Sequence, residues 1–282
     1  MSGFSRLSQV EANLKHDLWI IAAGKGTRMG DINIPKALVE INGKSNLENT
    51  LNLVAHKFRK VFVIVSHEAE DYVSEAVYDT HVGFHANNIK IIGIESGGGD
   101  GKAVLEAFEK VSKSFDVTPQ AVILWGDAHL RSAEIVDEML ERLKSPAASS
   151  IIIPAVLEYR PYVAINTSLI ADRVDMSVAM SADFIKFGEV RDEGWHDQSI
   201  FGVTWNSVAS ALQEMRYSAL KIDQDGHVKF TTQSGELTFL NIVHYLYNIG
   251  DPSYVYETKH PLMGYNTQAE VEKIKKSLEK AT

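Results

Sequence analysis

Apolar residues fall into short, nearly continuous runs through the first half of the chain: Leu18–Ala23, Val61–Val65, Ile89–Ile94, Ala121–Trp125 and Ile151–Val156. Runs of this kind suit strands buried on both faces, as in a parallel sheet covered by helices. Between several of them the period changes to that of a helix. Leu47, Leu51, Val54 and Phe58 form one stripe, with Ser45 and Glu48 spaced as a capping box ahead of it. Val104, Phe108 and Val111 form a second stripe, and Ile135, Met139 and Leu143 a third. The alternation predicts an α/β fold with a mostly parallel sheet.

The second half follows a different pattern. Val178–Val190 reads largely as strand, Arg191–Gly194 as a turn, and Ser199–Thr204 as a second strand. That predicts a β-hairpin inserted into the α/β frame. Helical stripes return at Val208, Leu212 and Met215, and at Val243, Leu246 and Tyr247. A last helix starts at Thr267, where Glu270 completes a second capping box, and carries Val271, Ile274 and Leu278. No repeat, low-complexity segment or Pro/Gly/Ser-rich linker divides the chain. The expectation is one domain over residues 17–282, with residues 1–16 an N-terminal arm.

Composition narrows the chemistry. The chain has 282 residues, 45% hydrophobic and 23% charged, ordinary values for a protein that buries a sizeable core. The longest apolar runs, such as Ile151–Leu157, fall far short of the ~20 residues that span a bilayer. Met1–Asp17 shows no apolar stretch before a cleavage site, so a cytoplasmic location is expected. There is no cysteine, which excludes disulfides, thiol catalysis and Cys-ligated zinc. The formal net charge is −9. An acidic chain neutralises no phosphates in bulk, so neither nucleic acid nor a membrane surface is an expected partner. Phosphates, if handled, need a local site.

One segment offers such a site: Ala22-Ala23-Gly24-Lys25-Gly26-Thr27-Arg28-Met29, followed by Pro35-Lys36. A buried strand ends in a glycine loop with three cations close by. In open α/β sheets ligands bind at the carboxyl ends of strands, where glycines let backbone amides approach phosphate oxygens. A Walker A loop needs a Gly-Lys-Ser/Thr ending that is absent. The dinucleotide fingerprint needs a third glycine where Met29 stands, with Gly30 one place late, which weakens a dehydrogenase reading. A plain glycine turn with surface lysines would explain the two glycines, and less easily three cations packed so closely around them.

Ala22–Met29 with Pro35-Lys36 resembles the signature of nucleotidyltransferases that activate phosphorylated sugars and alcohols. It is most similar to the pyrophosphorylase domain of N-acetylglucosamine-1-phosphate uridylyltransferase and to bacterial phosphocholine cytidylyltransferases. Molybdenum-cofactor guanylyltransferases share that fold with a different loop. The resemblance implies a Rossmann-like, mostly parallel mixed sheet with helices on both faces. It also implies a nucleoside triphosphate held by Ala22, Ala23, Gly24, Gly26 and Thr27, with Lys25, Arg28 and Lys36 as the catalytic cations. Gly97-Gly98-Gly99-Asp100-Gly101-Lys102-Ala103 resembles the family's second glycine loop, which would set Gly99 and Gly101 against the base. Asp100 and Lys102 stand where a Thr and a His are common, and Ile92–Glu95 lacks the uracil-reading glutamine, so the base stays open.

Trp125-Gly126-Asp127 ends the fourth apolar run, which puts Asp127 on the same sheet edge as the first loop. A carboxylate there suits Mg²⁺, which binds one or two protein groups plus phosphates; the alternative is an Asp capping a helix that begins near Ser132. Gly264-Tyr265-Asn266-Thr267 resembles the family's Gly-x-Asn segment. The resemblance implies Mg²⁺ on Asp127 and Asn266; alone, Asn266 would be a turn residue before an N-cap.

The later half is left to bind the acceptor, and Tyr162, Asn166, Trp195, His196 and Asp197 are its candidates. Some of Tyr159, Tyr162, Phe184, Phe187 and Trp195 could cage a quaternary ammonium; core or hairpin packing is the plainer role. Asp223–Gly226 lacks the later ligands of a calcium loop, and the histidines show no metal spacing. The expected reaction moves a nucleoside monophosphate from a triphosphate to a phosphorylated small acceptor, a sugar 1-phosphate first, releasing pyrophosphate. Transfer from CTP to phosphocholine or another small phosphorylated compound is the alternative within the class. A non-catalytic nucleotide-sugar-binding protein is the alternative outside it. Self-association into a homo-oligomer stays open.

Overall fold

The structure, a computed structural model, describes residues 14–24, 34–79, 88–144, 149–159, 163–170, 173–180, 193–222, 228–230, 236–251 and 253–280. Residues 1–13 of the expected arm lie outside this set. The first strand, β1 (Asp17–Ile21), is buried throughout. Short strands β2 (Glu40–Ile41) and β3 (Lys44–Ser45) lead into helix α1 (Asn46–Val54). Ser45 caps α1 by accepting from the Glu48 amide at 3.1 Å, as its spacing predicts. Then come β4 (Val61–Ser66), α2 (Glu70–Asp79), β5 (Ile89–Ile94), α3 (Asp100–Ser114), β6 (Gln120–Trp125), β7 (Ala128–His129) and α4 (Glu134–Leu143). β1 lies between β4 and β6, β5 flanks β4, and all three pairings are parallel. The apolar runs mark these strands to within two residues at each end.

The second half brings β8 (Ile151–Tyr159), β9 (Val163–Ile170), β10 (Arg173–Met180), β11 (Glu193–Asp197), β12 (Ile200–Thr204) and α5 (Trp205–Ala219). After them come β13 (Leu220–Ile222), β14 (Val228–Phe230), α6 (Asn241–Asn248), β15 (Tyr254–Glu257), β16 (Met263–Gly264) and α7 (Gln268–Glu279). The main sheet runs β10-β9-β11-β8-β12-β6-β1-β4-β5, with β15 on the other edge of β8.

Alternation of side chains along a strand sorts the core into two faces. Leu18 and Ile20 join a core with α1, α2 and α4. Trp19 and Ile21 join one with α3, α5 and α6. Each large side chain buried this way contributes roughly 1.5–3 kcal/mol. The predicted layering, helices on both faces of a mixed sheet, is what forms.

Two details differ from the sequence pattern. The pattern shows no helix between Val61 and Ile89, yet α2 forms there. It buries only Val73 and Val77, with Tyr72 and Tyr78 exposed among acidic residues, too sparse a stripe to read. The inserted hairpin also lies elsewhere. β9 and β10 form it, pairing from Ile170↔Arg173 to Val163↔Met180. Glu193 and Gly194, expected in a turn, begin strand β11 beside β8; residues 181–192 lie outside the described set. β11 and β12 run along one edge of β8, and between them the chain shifts from β9 to β6 as outer neighbour. Ser199 sits at that bend with φ 56°, and the Asp197 carboxylate accepts its amide at 2.9 Å.

Candidate active site

The site forms where the carboxyl ends of β1 and β6 meet. The Gly126 amide donates to the Ile21 carbonyl at 2.8 Å, and a Cβ at Gly126 would lie 2.8 Å from that of Ala22. Only glycine lets the two loops close to this distance. Asn46, fully buried at the start of α1, fixes the turn that follows. Its amide donates to the Gly126 and Ala128 carbonyls at 3.1 and 2.9 Å, and its oxygen meets His129 Nδ1 at 2.9 Å.

β7 pairs with β16, which carries the chain's last segment back to β6. The Tyr265 amide donates to the Asp127 carbonyl at 3.2 Å, and its hydroxyl donates to the Lys36 carbonyl at 2.7 Å. Burial, with Asp127 nearby, pushes the Tyr265 phenol well above its ordinary pKa, so it remains a donor. Thr267 and Glu270 form the predicted capping box at the start of α7. Burial raises the Glu270 pKa, but the Asn266 amide and Thr267 outweigh it, with help from Lys36, and the carboxylate titrates below its usual range.

These contacts bring together three of the predicted residues. Lys36 Nζ lies 3.2 Å from Asp127 Oδ2 and 2.9 Å from Asn266 Oδ1, across sequence separations of 91 and 230. Asp127 therefore does not cap a helix near Ser132: α4 begins at Glu134 and carries no side-chain cap. The donor set fits a hard cation. A carboxylate and an amide oxygen both grip one ammonium, leaving the rest of a Mg²⁺ shell to phosphates and water. No group of three His, Asp or Glu side chains among the described residues offers another metal site.

Lys25, Gly26, Thr27 and Arg28 lie outside the described residues. Ala23 is buried, Ala22 partly so, and Gly24 faces open space. In the second loop, Gly99 has φ +95°, and a Cβ there would lie 2.3 Å from the Leu237 carbonyl. Gly101 donates to that carbonyl at 2.9 Å, and Asp100 Oδ1 accepts from the Gly101 and Phe239 amides at 2.9 and 2.8 Å. Both glycines are thus explained by contact with residues 237–239. Phe239 meets Trp125 edge-on at 5.4 Å, which ties this loop to the end of β6.

Of the acceptor candidates, Tyr162 and the side chain of Asn166 lie outside the described residues. Trp195 pairs across the sheet with Leu157 and Ile165 and packs on the core. His196 Nδ1 lies 3.0 Å from Glu158 Oε2. Asp197 is buried, which raises its pKa, and serves the Ser199 bend rather than a hairpin surface. Sequence reasoning missed Asn46 and Tyr265, which hold the turn around Asp127, and Glu158 as the partner of His196. Asn46 left one signal: with Thr50 it interrupts a helix face that Leu47, Leu51 and Val54 otherwise make apolar.

A parallel α/β core with polar and charged side chains converging at its strand ends is where ligands bind in open α/β sheets. The MobA-like NTP transferase domain family matches residues 18–183, more than half of the chain, and the chain belongs to that family. The bifunctional protein GlmU of Buchnera aphidicola is 31% identical over 125 residues, covering 44% of this chain and 24% of that protein. The chain spans about a quarter of the length of the curated GlmU relatives it matches. A nucleoside-diphosphate-sugar pyrophosphorylase of Vibrio cholerae superposes with a TM-score of 0.68 at 15% identity, covering 92% of this chain and 99% of that one. The inositol-1-phosphate CTP transferase of T. maritima superposes at 0.62 and 11% identity, covering 95% and 98%. These two likenesses show the fold. No helix among the described residues is long and apolar enough to cross a membrane.

Proposed function

We propose that the chain moves a nucleoside monophosphate from a triphosphate to a phosphorylated small acceptor, a sugar 1-phosphate first, and releases pyrophosphate. The observation that carries this is the convergence of Lys36, Asp127 and Asn266 at the strand ends. An oxygen of the acceptor phosphate forms the new bond to the α-phosphorus while the bond to the bridging oxygen of pyrophosphate breaks. The attacking phosphate is already ionised, so positioning and charge do the work. The first glycine loop holds the triphosphate. Arg28 and Lys25 stabilise the departing pyrophosphate, and Lys36 the α-phosphate or the attacking oxygen. Gly99 and Gly101 shape the wall beside the base. Asp127 and Asn266 hold Mg²⁺, which when bound offsets phosphate charge. Tyr162, Asn166, Trp195, His196 and Asp197 belong to the acceptor side, Asp197 through the bend it fixes. The product suits cell-surface polysaccharide assembly, and the work belongs in the cytoplasm.

Transfer from CTP to a phosphorylated alcohol is the second reading. It is kept open by Ile92–Glu95, ahead of the second glycine loop, which holds no glutamine to read a uracil, and favoured by the T. maritima CTP transferase among the superposed folds. A pyrophosphate-release screen of four triphosphates against sugar 1-phosphates and phosphocholine tests both. Release with at least one pair is expected, lost on chelation. Asp127→Ala is expected to lower turnover by orders of magnitude while the protein stays folded. Full activity in that variant sinks the site; no release with any pair sinks the function.

A further inference from the structure

The Glu158–His196 pair has a geometry that goes beyond placing His196 on the acceptor side. Glu158 lies on β8 directly opposite Gly194, which presents no side chain, so its carboxylate is free to lean along the sheet to His196, the diagonal neighbour. The contact is 3.0 Å to Nδ1, with the imidazole 29% and the carboxylate 43% exposed. With Nδ1 engaged, Nε2 is the ring's remaining polar atom, and it has no hydrogen-bond partner among the described residues. A carboxylate that holds one imidazole nitrogen sets the ring's orientation and favours its cationic form, in which Nε2–H is a charge-assisted donor.

Helix α7 relates this pair to the Lys36 cluster. Glu270 in its first turn feels the charge of Lys36, and Lys273, one turn on, acts on Glu158. The sheet places the pair on the same edge: β12 pairs antiparallel with both β6 and β8, so β8 runs parallel to β6, and Glu158 and His196 lie towards the carboxyl end that carries Asp127. The charged groups around His196 are Glu158 on β8 and its own neighbour Asp197 on β11, with Lys273 of α7 beyond Glu158. Burial alone lowers the His196 pKa, but the bond to Glu158 and the charges of Asp197 and Glu158 outweigh it, and the net shift is upward.

We propose that Glu158 is a positioning residue that presents His196 as a cationic N–H donor to the phosphate of the acceptor. This rests on the transferase reading given above, and its test is separable from it. The His196 ring resonances, assigned by their loss in His196→Gln, are followed by NMR through a pH titration and through addition of inorganic phosphate. In the wild type the midpoint lies above the ordinary histidine value, and phosphate shifts the resonance at pH 6. Glu158→Gln lowers the midpoint and weakens phosphate by about tenfold. Glu158→Asp, which keeps the carboxylate, recovers part of that affinity. A parallel arm adds a non-hydrolysable triphosphate analogue with Mg²⁺ first, and phosphate still shifts His196. An analogue that itself shifts His196 and blocks phosphate assigns the donor to the triphosphate and overturns the proposal. So does an unmoved resonance, an unchanged Glu158→Gln, or equal loss in both Glu158 variants. Failure of the transferase reading shows separately, as absence of pyrophosphate release by the wild type.

Discussion

Asn46 illustrates how a residue with no chemistry of its own decides a site. Its amide holds the Gly126 and Ala128 carbonyls, on either side of Asp127, and its oxygen meets His129. Asn46→Ala strands those buried partners at about 1–3 kcal/mol for each group left unsatisfied. We expect a loss of ~2–4 kcal/mol in denaturant unfolding, and a fall in turnover at saturating substrate larger than any change in triphosphate affinity. Equal turnover in wild type and variant would show that the turn holds without it. Lys36, Asp127 and Asn266 were legible because the segments that carry them resemble a family signature; read alone, Asp127 suits a helix cap and Asn266 a turn. Asn46, Tyr265 and Glu158 were not, since each acts on a partner 38 to 229 positions away and lies in no such segment as a site residue.

At the scale of elements, α3 is tied to residues 237–239 by the Asp100 carboxylate as well as by the Gly101 amide. Asp100 Oδ1 accepts from both Gly101 and Phe239. The residue keeps some exposed surface, but its carboxyl is enclosed, and burial pushes its pKa up to about 6 against the lowering effect of those two amides. The sign follows from proton binding. Between pH ~4 and ~6 the folded chain binds this proton more readily than the unfolded one, so this group makes stability fall as pH rises through that window. Asp100→Asn keeps an acceptor oxygen and removes the titration. Its stability relative to wild type should therefore rise from pH 4 to pH 6 and level off above. Asp100→Ala removes the same titration together with both acceptor bonds, so its loss relative to wild type should be largest near pH 4 and shrink towards pH 6. Chemical denaturation across pH reads both, and a difference between wild type and Asp100→Asn that does not vary with pH removes Asp100 from the account. The continuous apolar runs gave the buried strands, because burial on both faces leaves no polar position to misread. β11 escaped because Gly194 and its charged neighbours read as a turn, and only the partner β8 makes them a strand.

At the scale of the molecule, residues 36, 127 and 266 meet only because the sheet, the β7–β16 pairing and the small core under α7 all form. That core is Val39, Ile41, Tyr265, Val271 and Ile274. The folded chain already supplies a cation to both residues proposed to hold the metal, since the Lys36 ammonium contacts Asp127 and Asn266. Metal binding is thereby uncoupled from folding. A chelator should leave the wild-type Tm within about 1 °C, because no interaction of the fold is removed. Mg²⁺ alone has to displace Lys36 and should add little. A triphosphate with Mg²⁺ gives that ammonium new oxygens, and should stabilise by mass action, about 2.7 kcal/mol at a hundredfold excess over Kd. In Lys36→Met the Asp127 carboxylate loses its partner, and Mg²⁺ alone should then raise Tm. Scanning calorimetry of the two proteins with chelator, Mg²⁺, and Mg²⁺ with each triphosphate separates these cases. A wild-type Tm that drops on chelation would make the metal part of the fold and Lys36 no substitute for it.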